Sequence, residues 1–274
     1  MRPAVCILTV FGAFVGALLV TVPRGDPVDW FRLVVALVGA WGVAMSTQIT
    51  NDVADREIDA IDKPDRPIPS GKITVDDAQT AGILGYALSI ICGIMVSWTM
   101  AAFYTGIVII SIHYNYHGKG LPLIGNIEVA VCVASIPIFG AASQLRPWDL
   151  WFLFLFIFVF EIGRELVVTA QDVEADKAQD LKTLPVYIGQ KASFYVAAIF
   201  YAASVFPVMY SEGAPGFGQI FIFGSYGLLV SLFGTMERVV SEDFTFEAYE
   251  KWIRTRGRFF ILLYQFVLLI EVFW

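Results

Sequence analysis

The chain has 274 residues, of which 57% are apolar and only 16% charged, and its mean hydropathy is +0.69. A soluble domain carries about 25% charged residues, so this composition excludes a water-soluble enzyme and makes lipid the solvent for most of the chain. A formal net charge of −7 speaks against a nucleic-acid partner.

The first apolar run begins directly after Arg2 and shows no small-x-small cleavage site before Pro23, so it reads as a membrane span and not as a signal peptide. Counting apolar runs long enough to cross a bilayer gives about nine transmembrane helices, at 4–22, 30–49, 79–96, 98–113, 124–143, 149–169, 192–210, 217–235 and 257–274. The segments between them are short, which predicts a single membrane domain over 1–274. Cys6, Cys92 and Cys132 fall inside apolar runs without metal-ligand spacing and read as small buried hydrophobes.

Sidedness follows from the basic residues. Fourteen of the eighteen Lys and Arg lie on the side of the N-terminus and of the loops at 50–78, 114–123, 170–191 and 236–256, counting Arg258 at the entry of the last span. Arg24, Arg32 and Arg146 lie on the other side, and Arg164 falls within the sixth span. The positive-inside rule places the first side in the cytoplasm and the C-terminus outside.

Two acidic loops share the cytoplasmic side, and they repeat each other. Asn51-Asp52-Val53-Ala54-Asp55-Arg56 leaves the second span, and Gln171-Asp172-Val173-Glu174-Ala175-Asp176-Lys177 leaves the sixth. Each runs on through a Lys- and Pro-containing segment to a Gly, Gly71 or Gly189. The fold expected is therefore an all-α bundle of two similar four-helix halves around a central cavity. Asn51, Asp55 and Asp59 stand at i, i+4 and i+8, as do Asp172, Asp176 and Asp180; helical continuation would align each set on one stripe. Like charges at that spacing destabilise a helix, which calls for a compensating cation. Oxygen-only donors favour a hard ion such as Mg²⁺ bridged by phosphate oxygens, and Lys63, Arg66, Lys119 and Lys182 would neutralise the remaining charge. The competing reading is a solvated acidic membrane surface.

Asn-Asp-x-x-Asp-x-x-x-Asp at 51–59, followed by Lys-Pro-Asp-Arg-Pro-Ile-Pro-Ser-Gly at 63–71, resembles the signature of the UbiA-type intramembrane prenyltransferases. Asp172-x-x-x-Asp176 running into Lys182-Thr183-Leu184-Pro185 resembles that family's second motif, and Tyr114-Asn115-Tyr116 with Lys119 and Gly125-Asn126 resembles its loop between the fourth and fifth helices. The resemblance implies Mg-dependent transfer of a prenyl group from an isoprenyl diphosphate to a lipophilic acceptor, with Mn²⁺ as a substitute ion. It implies Asp55, Asp59, Asp172 and Asp176 as the catalytic carboxylates, and Asn51, Asp52, Asp55, Asp172, Asp176 and Asp180 as the metal donors. Arg2, Lys63, Arg66, Tyr114, Lys119 and Lys182 become the diphosphate and substrate contacts.

The opening Arg2-Pro3-Ala4-Val5-Cys6 and the Tyr114-Asn115-Tyr116 loop are most similar to archaeal-type members that geranylgeranylate a glycerol-phosphate ether lipid. Thr169 and Gln171 depart from that pattern, since acids are expected there, and the departure bears on acceptor choice. Aromatic quinone precursors and tetrapyrroles remain alternative acceptors, and a terpene cyclase of the same superfamily an alternative activity. An ion-coupled transporter would need ionisable groups near the bilayer midplane in both halves, whereas most acids here lie at one face. Glu161, Arg164 and Glu165 in the sixth span are read as an internal ion-pair set or as cavity groups. His113 and His117 are expected to pack or hydrogen-bond, without a metal role.

Overall fold

A computed structural model describes residues 3–178, 180–211 and 217–273. Arg2 lies outside them. Every regular element among the described residues is helical. In chain order the α-helices are α1 (Pro3–Thr21), α2 (Trp30–Ala54), α3 (Arg56–Asp62), α4 (Val75–Val96), α5 (Trp98–Tyr116), α6 (Ile124–Ser143), α7 (Trp151–Gln171), α8 (Val173–Ala178), α9 (Leu184–Ala203), α10 (Val205–Met209), α11 (Gln219–Ser241), α12 (Phe246–Ala248) and α13 (Arg258–Phe273). A π-helical segment, Tyr249–Gly257, joins α12 to α13.

Among the described residues six segments are long and apolar enough to cross a membrane: Ala4–Arg24, Trp30–Ala54, Val75–Val96, Ile124–Ser143, Leu184–Met209 and Gln219–Ser241. The other three expected spans coincide with α5, α7 and α13. Of these α7 carries Glu161, Arg164 and Glu165, and α13 has only 16 residues. Boundaries differ from the apolar runs in one consistent way: α2, α5, α7 and α11 all continue past the last apolar residue into polar sequence. Backbone hydrogen bonding continues a helix beyond the membrane as long as no breaker intervenes, and polar residues do not break it. The seventh expected span, 192–210, starts earlier, at Leu184, and is interrupted: Gly189 has φ 80 inside α9, and Ser204 separates α9 from α10.

The chain forms two compact units. One comprises the described residues within Met1–Ala17, Val28–Gly118 and Ile136–Asp149, the other those within Leu18–Pro27, Lys119–Ser135 and Leu150–Trp274. In the first, small residues let backbones approach. A Cβ on Gly42 of α2 would stand 2.8 Å from Ser89 Oγ and 2.9 Å from the Gly85 carbonyl of α4, and one on Gly140 of α6 would overlap the Ala13 carbonyl of α1. In lipid, where apolar burial between helices gains little, such close packing is what holds helices together. Tyr104 of α5 donates to the Ala36 carbonyl of α2 and packs its ring on Phe139, so its hydroxyl is satisfied in a dry interior. Side chains of Asp29, Thr74 and Ser97 accept the first-turn N–H groups of α2, α4 and α5.

The second unit is aromatic. Phe152, Phe156 and Phe160, one helical turn apart on α7, are buried against Phe217, Phe221, Tyr264 and Tyr201. This buried stripe of the Phe run faces other helices, and its periodicity is that of a packed face. Arg164 pairs with Glu161 (Nε to Oε2, 2.6 Å) and with Glu165, so the ion-pair reading of that trio holds. Glu271 of α13 accepts from the N–H groups of Gly218 and Phe221 and thereby caps α11. A carboxylate on a helix N-terminus is a favourable partner for an acid buried in a membrane segment.

Candidate active site

The first acidic segment runs through two helices that meet at Asp55. Asn51 and Asp52 occupy the last turn of α2, Asp55 caps it, and Asp59 follows on α3. The amide of Asp55 donates to Asn51 O (2.9 Å), that of Asp59 to Asp55 O (2.8 Å) and that of Lys63 to Asp59 O (2.8 Å). These consecutive i to i−4 bonds place Asn51, Asp55 and Asp59 on one stripe, as the spacing predicts.

The compensating charge beside this stripe comes in part from the protein. Arg66 pairs with Asp59 and lies 3.5 Å from Asp52 Oδ1, and Lys63 Nζ stands 3.9 Å from Asp59 Oδ1. Asp59 is only 3% exposed, so the guanidinium neutralises a carboxylate that water does not reach. Arg66, expected as a diphosphate contact, is thus engaged with two of the acids. Asp52, Asp59 and Arg66 open onto a cleft of about 340 Å³, whose walls include Ile49, Ile68 and Ala81. Charged groups at one side of a largely apolar cleft suit an amphiphile with an ionic head.

Behind the stripe, α2 and α5 share two polar contacts one turn apart. Thr47 Oγ1 donates to Ser111 Oγ (3.0 Å), and Asn51 Nδ2 donates to Asn115 Oδ1 (3.2 Å). Asn115 is buried, and its own Nδ2 has no hydrogen-bond partner among the described residues. Its neighbour Tyr114, the residue singled out from sequence, is half-buried on the same last turn of α5. Asn115 was visible in the Tyr-Asn-Tyr motif, but only the packing shows that it is the residue that touches Asn51. The rings of His113 and His117 stack at 5.6 Å, a packing arrangement.

The second acidic segment begins in the same way. Asp55 (φ −86, ψ 3) and Asp172 (φ −95, ψ 11) end α2 and α7 in nearly one backbone conformation. Asp176 follows on α8, its amide donating to Asp172 O (2.7 Å). There the stripe stops. Asp180 has φ 54, its amide bonds to Lys177 O, and the amide of Leu181 closes the helix by bonding to Asp176 O. The expected i, i+4, i+8 alignment of Asp172, Asp176 and Asp180 therefore fails at its third member, because α8 is one and a half turns long.

Asp176 is half-buried and accepts from Thr183 Oγ1 (2.8 Å). Burial raises its carboxyl above the usual range, opposed by the Thr183 hydrogen bond and by the charge of Lys119. The amide of Lys182 donates to Gly120 O (3.1 Å), which ties the chain at Lys119 to the Lys182-Thr183 segment. Lys119, Asp176, Lys182 and Thr183 are thus brought together, while Asp172 is exposed beside them. Tyr249 is buried, and its hydroxyl, without a hydrogen-bond partner among the described residues, is made harder to ionise by burial and by the charge of Asp172. Thr183 was legible as part of the Lys-Thr-Leu-Pro motif, whereas nothing in the sequence pointed to Tyr249.

Among the described residues no three Asp, Glu, His or Cys side chains converge closely enough to hold a metal by themselves. The donor set is carboxylate and amide oxygen, arranged as one or two groups at a time. That fits Mg²⁺, which keeps few protein ligands and completes its shell with water and phosphate oxygens.

Six segments long and apolar enough for a bilayer among the described residues, with α2 and α7 each ending on an Asp whose successor stands one turn on, define a polytopic membrane protein with acidic segments at two helix ends. The UbiA prenyltransferase family profile matches residues 9–249, and the chain belongs to that family. It is 35% identical over 200 residues to the digeranylgeranylglyceryl phosphate synthase of Pyrococcus horikoshii, covering 73% of this chain and 71% of that protein. It is 33% identical to the enzyme of the same name from Methanopyrus kandleri, over 78% of each chain. Among solved structures, one reported as giving structural and mechanistic insights into digeranylgeranylglyceryl phosphate synthase in membranes superposes with a TM-score of 0.81 (22% identity, 97% of this chain and 94% of that one). The apo UbiA homolog from Aeropyrum pernix K1 gives 0.80 (16% identity, 100% and 98%), and the Archaeoglobus fulgidus homolog bound to GPP and Mg²⁺ gives 0.63 (16% identity, 98% of each). These likenesses share the all-helical fold, and the chain is a prenyltransferase of this family.

Proposed function

We propose that the chain transfers a geranylgeranyl group from its diphosphate to the free hydroxyl of a geranylgeranylated glycerol phosphate, as one Mg-dependent domain spanning 1–274. The observation that carries this reading is the common construction of the two acidic segments. In each, a long helix ends on an Asp in the same conformation, the next carboxylate stands one turn on, and basic residues follow. The named activity of the relatives at 33–35% identity supports the acceptor class.

Asn51, Asp52, Asp55, Asp172 and Asp176 are the donors for Mg²⁺ in this reading, and Asp180, off the stripe, is at most an outer contributor. Mg²⁺, when bound, stabilises the negative charge that develops on the departing diphosphate. Lys63 beside the first acidic segment, Lys119 and Lys182 beside the second, and Arg2 supply the positive charge that offsets the diphosphate in this reading. Asp59 and Arg66 hold one another and fix the end of α3, with Arg66 shared between the acids and the anionic head. As the C1–O bond breaks, diphosphate leaves with the electron pair; the acceptor oxygen bonds to C1, and its proton passes to the released diphosphate. The apolar walls exclude water, which would otherwise capture the allylic cation. The acidic loops and the N-terminus face the cytoplasm, and the C-terminus faces outward.

The deciding experiment incubates purified protein with geranylgeranyl diphosphate, Mg²⁺ and geranylgeranylglyceryl phosphate, with products identified by mass spectrometry. The expected result is the doubly alkylated lipid, with Mn²⁺ substituting and EDTA abolishing the reaction. A cyclic hydrocarbon formed from the donor alone would make the chain a cyclase. Transfer to an aromatic acceptor and not to the glycerol phosphate would overturn the acceptor.

A further inference from the structure

The segment between α12 and α13 has a feature that the transfer reaction does not use. Three cations surround one indole: Arg256 Cζ lies 4.1 Å, Lys251 Nζ 4.6 Å and Arg238 Cζ 5.6 Å from the ring centroid of Trp252. All three are exposed, and among the described residues none forms an ion pair with a carboxylate. Two of the nearby acids are engaged elsewhere. Glu242 accepts from Trp252 Nε1 (2.7 Å), which fixes the ring, and Glu250 pairs with Arg254 (2.7 Å).

The π-helical register builds this cluster. Lys251 and Arg256 are five residues apart, which in an α-helix places them on different faces. In a π-helix, whose hydrogen bonds run between residues five apart, they fall on one face, over the same ring. Like charges gathered over one fixed ring repel unless an anion joins them, and the ring face attracts each cation.

Position identifies the anion. Arg238 sits in the last turn of α11, a segment that meets the requirements of a membrane span, and α13 begins directly after the π-helical segment. Phe246 and Phe259 flank the cluster in sequence and are 64% and 59% exposed. Exposed aromatic residues beside a basic cluster at a helix end are the pattern of a segment seated among lipid headgroups. The electrostatic influence of Asp172 on Tyr249 puts the cluster at the same end of this unit as the second acidic segment.

We propose that Arg238, Lys251 and Arg256, arranged around Trp252, bind the headgroup phosphate of an anionic lipid in the leaflet that adjoins the second acidic segment. Binding there anchors the 242–257 connection to the membrane surface.

The test uses the full-length chain in a neutral detergent, titrated with a short-chain phosphatidylglycerol or with phosphatidylcholine of equal acyl length, bound lipid being counted by native mass spectrometry. Phosphatidylglycerol is expected to bind at least tenfold more tightly. Lys251→Gln with Arg256→Gln should bring it to the level of phosphatidylcholine, and Arg238→Gln alone should weaken it severalfold. Arg254→Gln, whose partner is Glu250, should stay within twofold of the parent. Equal binding of the two lipids by the parent protein would overturn the proposal, as would full retention in Arg238→Gln and in the double variant. Displacement by inorganic phosphate at concentrations equal to those of the lipid would show a soluble-anion site instead and overturn the lipid assignment. None of these outcomes depends on prenyl transfer, so the function proposed above stands or falls separately.

Discussion

Asn51 Nδ2 donates to Asn115 Oδ1 at 3.2 Å, which occupies the amide nitrogen of Asn51 and leaves its side-chain oxygen outside this bond. An amide whose nitrogen is occupied presents its oxygen, which is the atom a hard cation takes. If Asn51 is a metal donor as proposed, Asn115 is the residue that orients it.

Replacing Asn115 by Ala should raise the Mg²⁺ concentration needed for half-maximal activity by about 10- to 100-fold, the usual effect of losing a residue that orients a ligand. The saturated rate should fall less. A metal titration of the steady-state rate checks this, and an unchanged Mg²⁺ requirement would remove Asn115 from the site.

Arg66 and Asp59 lead to a stability prediction. Truncating one partner of a buried pair leaves an uncompensated charge and costs about 3–5 kcal/mol. Lys63, 3.9 Å from Asp59, offsets part of that, so Arg66→Ala should destabilise by about 2–3 kcal/mol in detergent unfolding. Asp59→Asn added to Arg66→Ala should recover a large part of the loss, since it removes the stranded charge. A double variant less stable than Arg66→Ala alone would show that Asp59 has another partner.

Thr183 supplies a prediction about pH. Burial raises the Asp176 carboxyl, and the Thr183 hydroxyl opposes the rise by donating to the ionised form. Thr183→Val removes that opposition, so the carboxyl should rise further and the acid limb of the pH–rate profile should move to higher pH. The alkaline limb should stay where it is. A profile unmoved on its acid side would mean that Asp176 ionisation does not limit the reaction.

Metal removal and sidedness can be examined in one set of variants. Asp55→Ala and Asp176→Ala should each abolish turnover while the helical circular dichroism is kept. Cysteines engineered at Arg146, Lys72 and Lys182 should divide under labelling of intact cells, the first reacting from outside and the other two not. External labelling at Lys72 or Lys182 would reverse the orientation and leave the chemistry untouched.

The sequence by itself determined the membrane class, the helical fold and the two acidic segments, because each is written in local order. Apolar length reports lipid burial, and a four-residue spacing of Asp55 and Asp59 becomes a stripe as soon as the backbone is helical, which the bonds from Asp59 to Asp55 and from Lys63 to Asp59 show. The same rule failed at Asp180, since nothing local announces that α8 ends after Ala178 and that the chain turns through φ 54. Only the tertiary structure decided which charges meet. Arg66 reads as a phosphate ligand in sequence, yet folding lays it on Asp59 and Asp52. Asn115 gains its part only where α5 passes α2, and Lys251 with Arg256 share a ring only in the π register. A side chain chooses among partners by distance and burial, and neither quantity exists until the helices have packed.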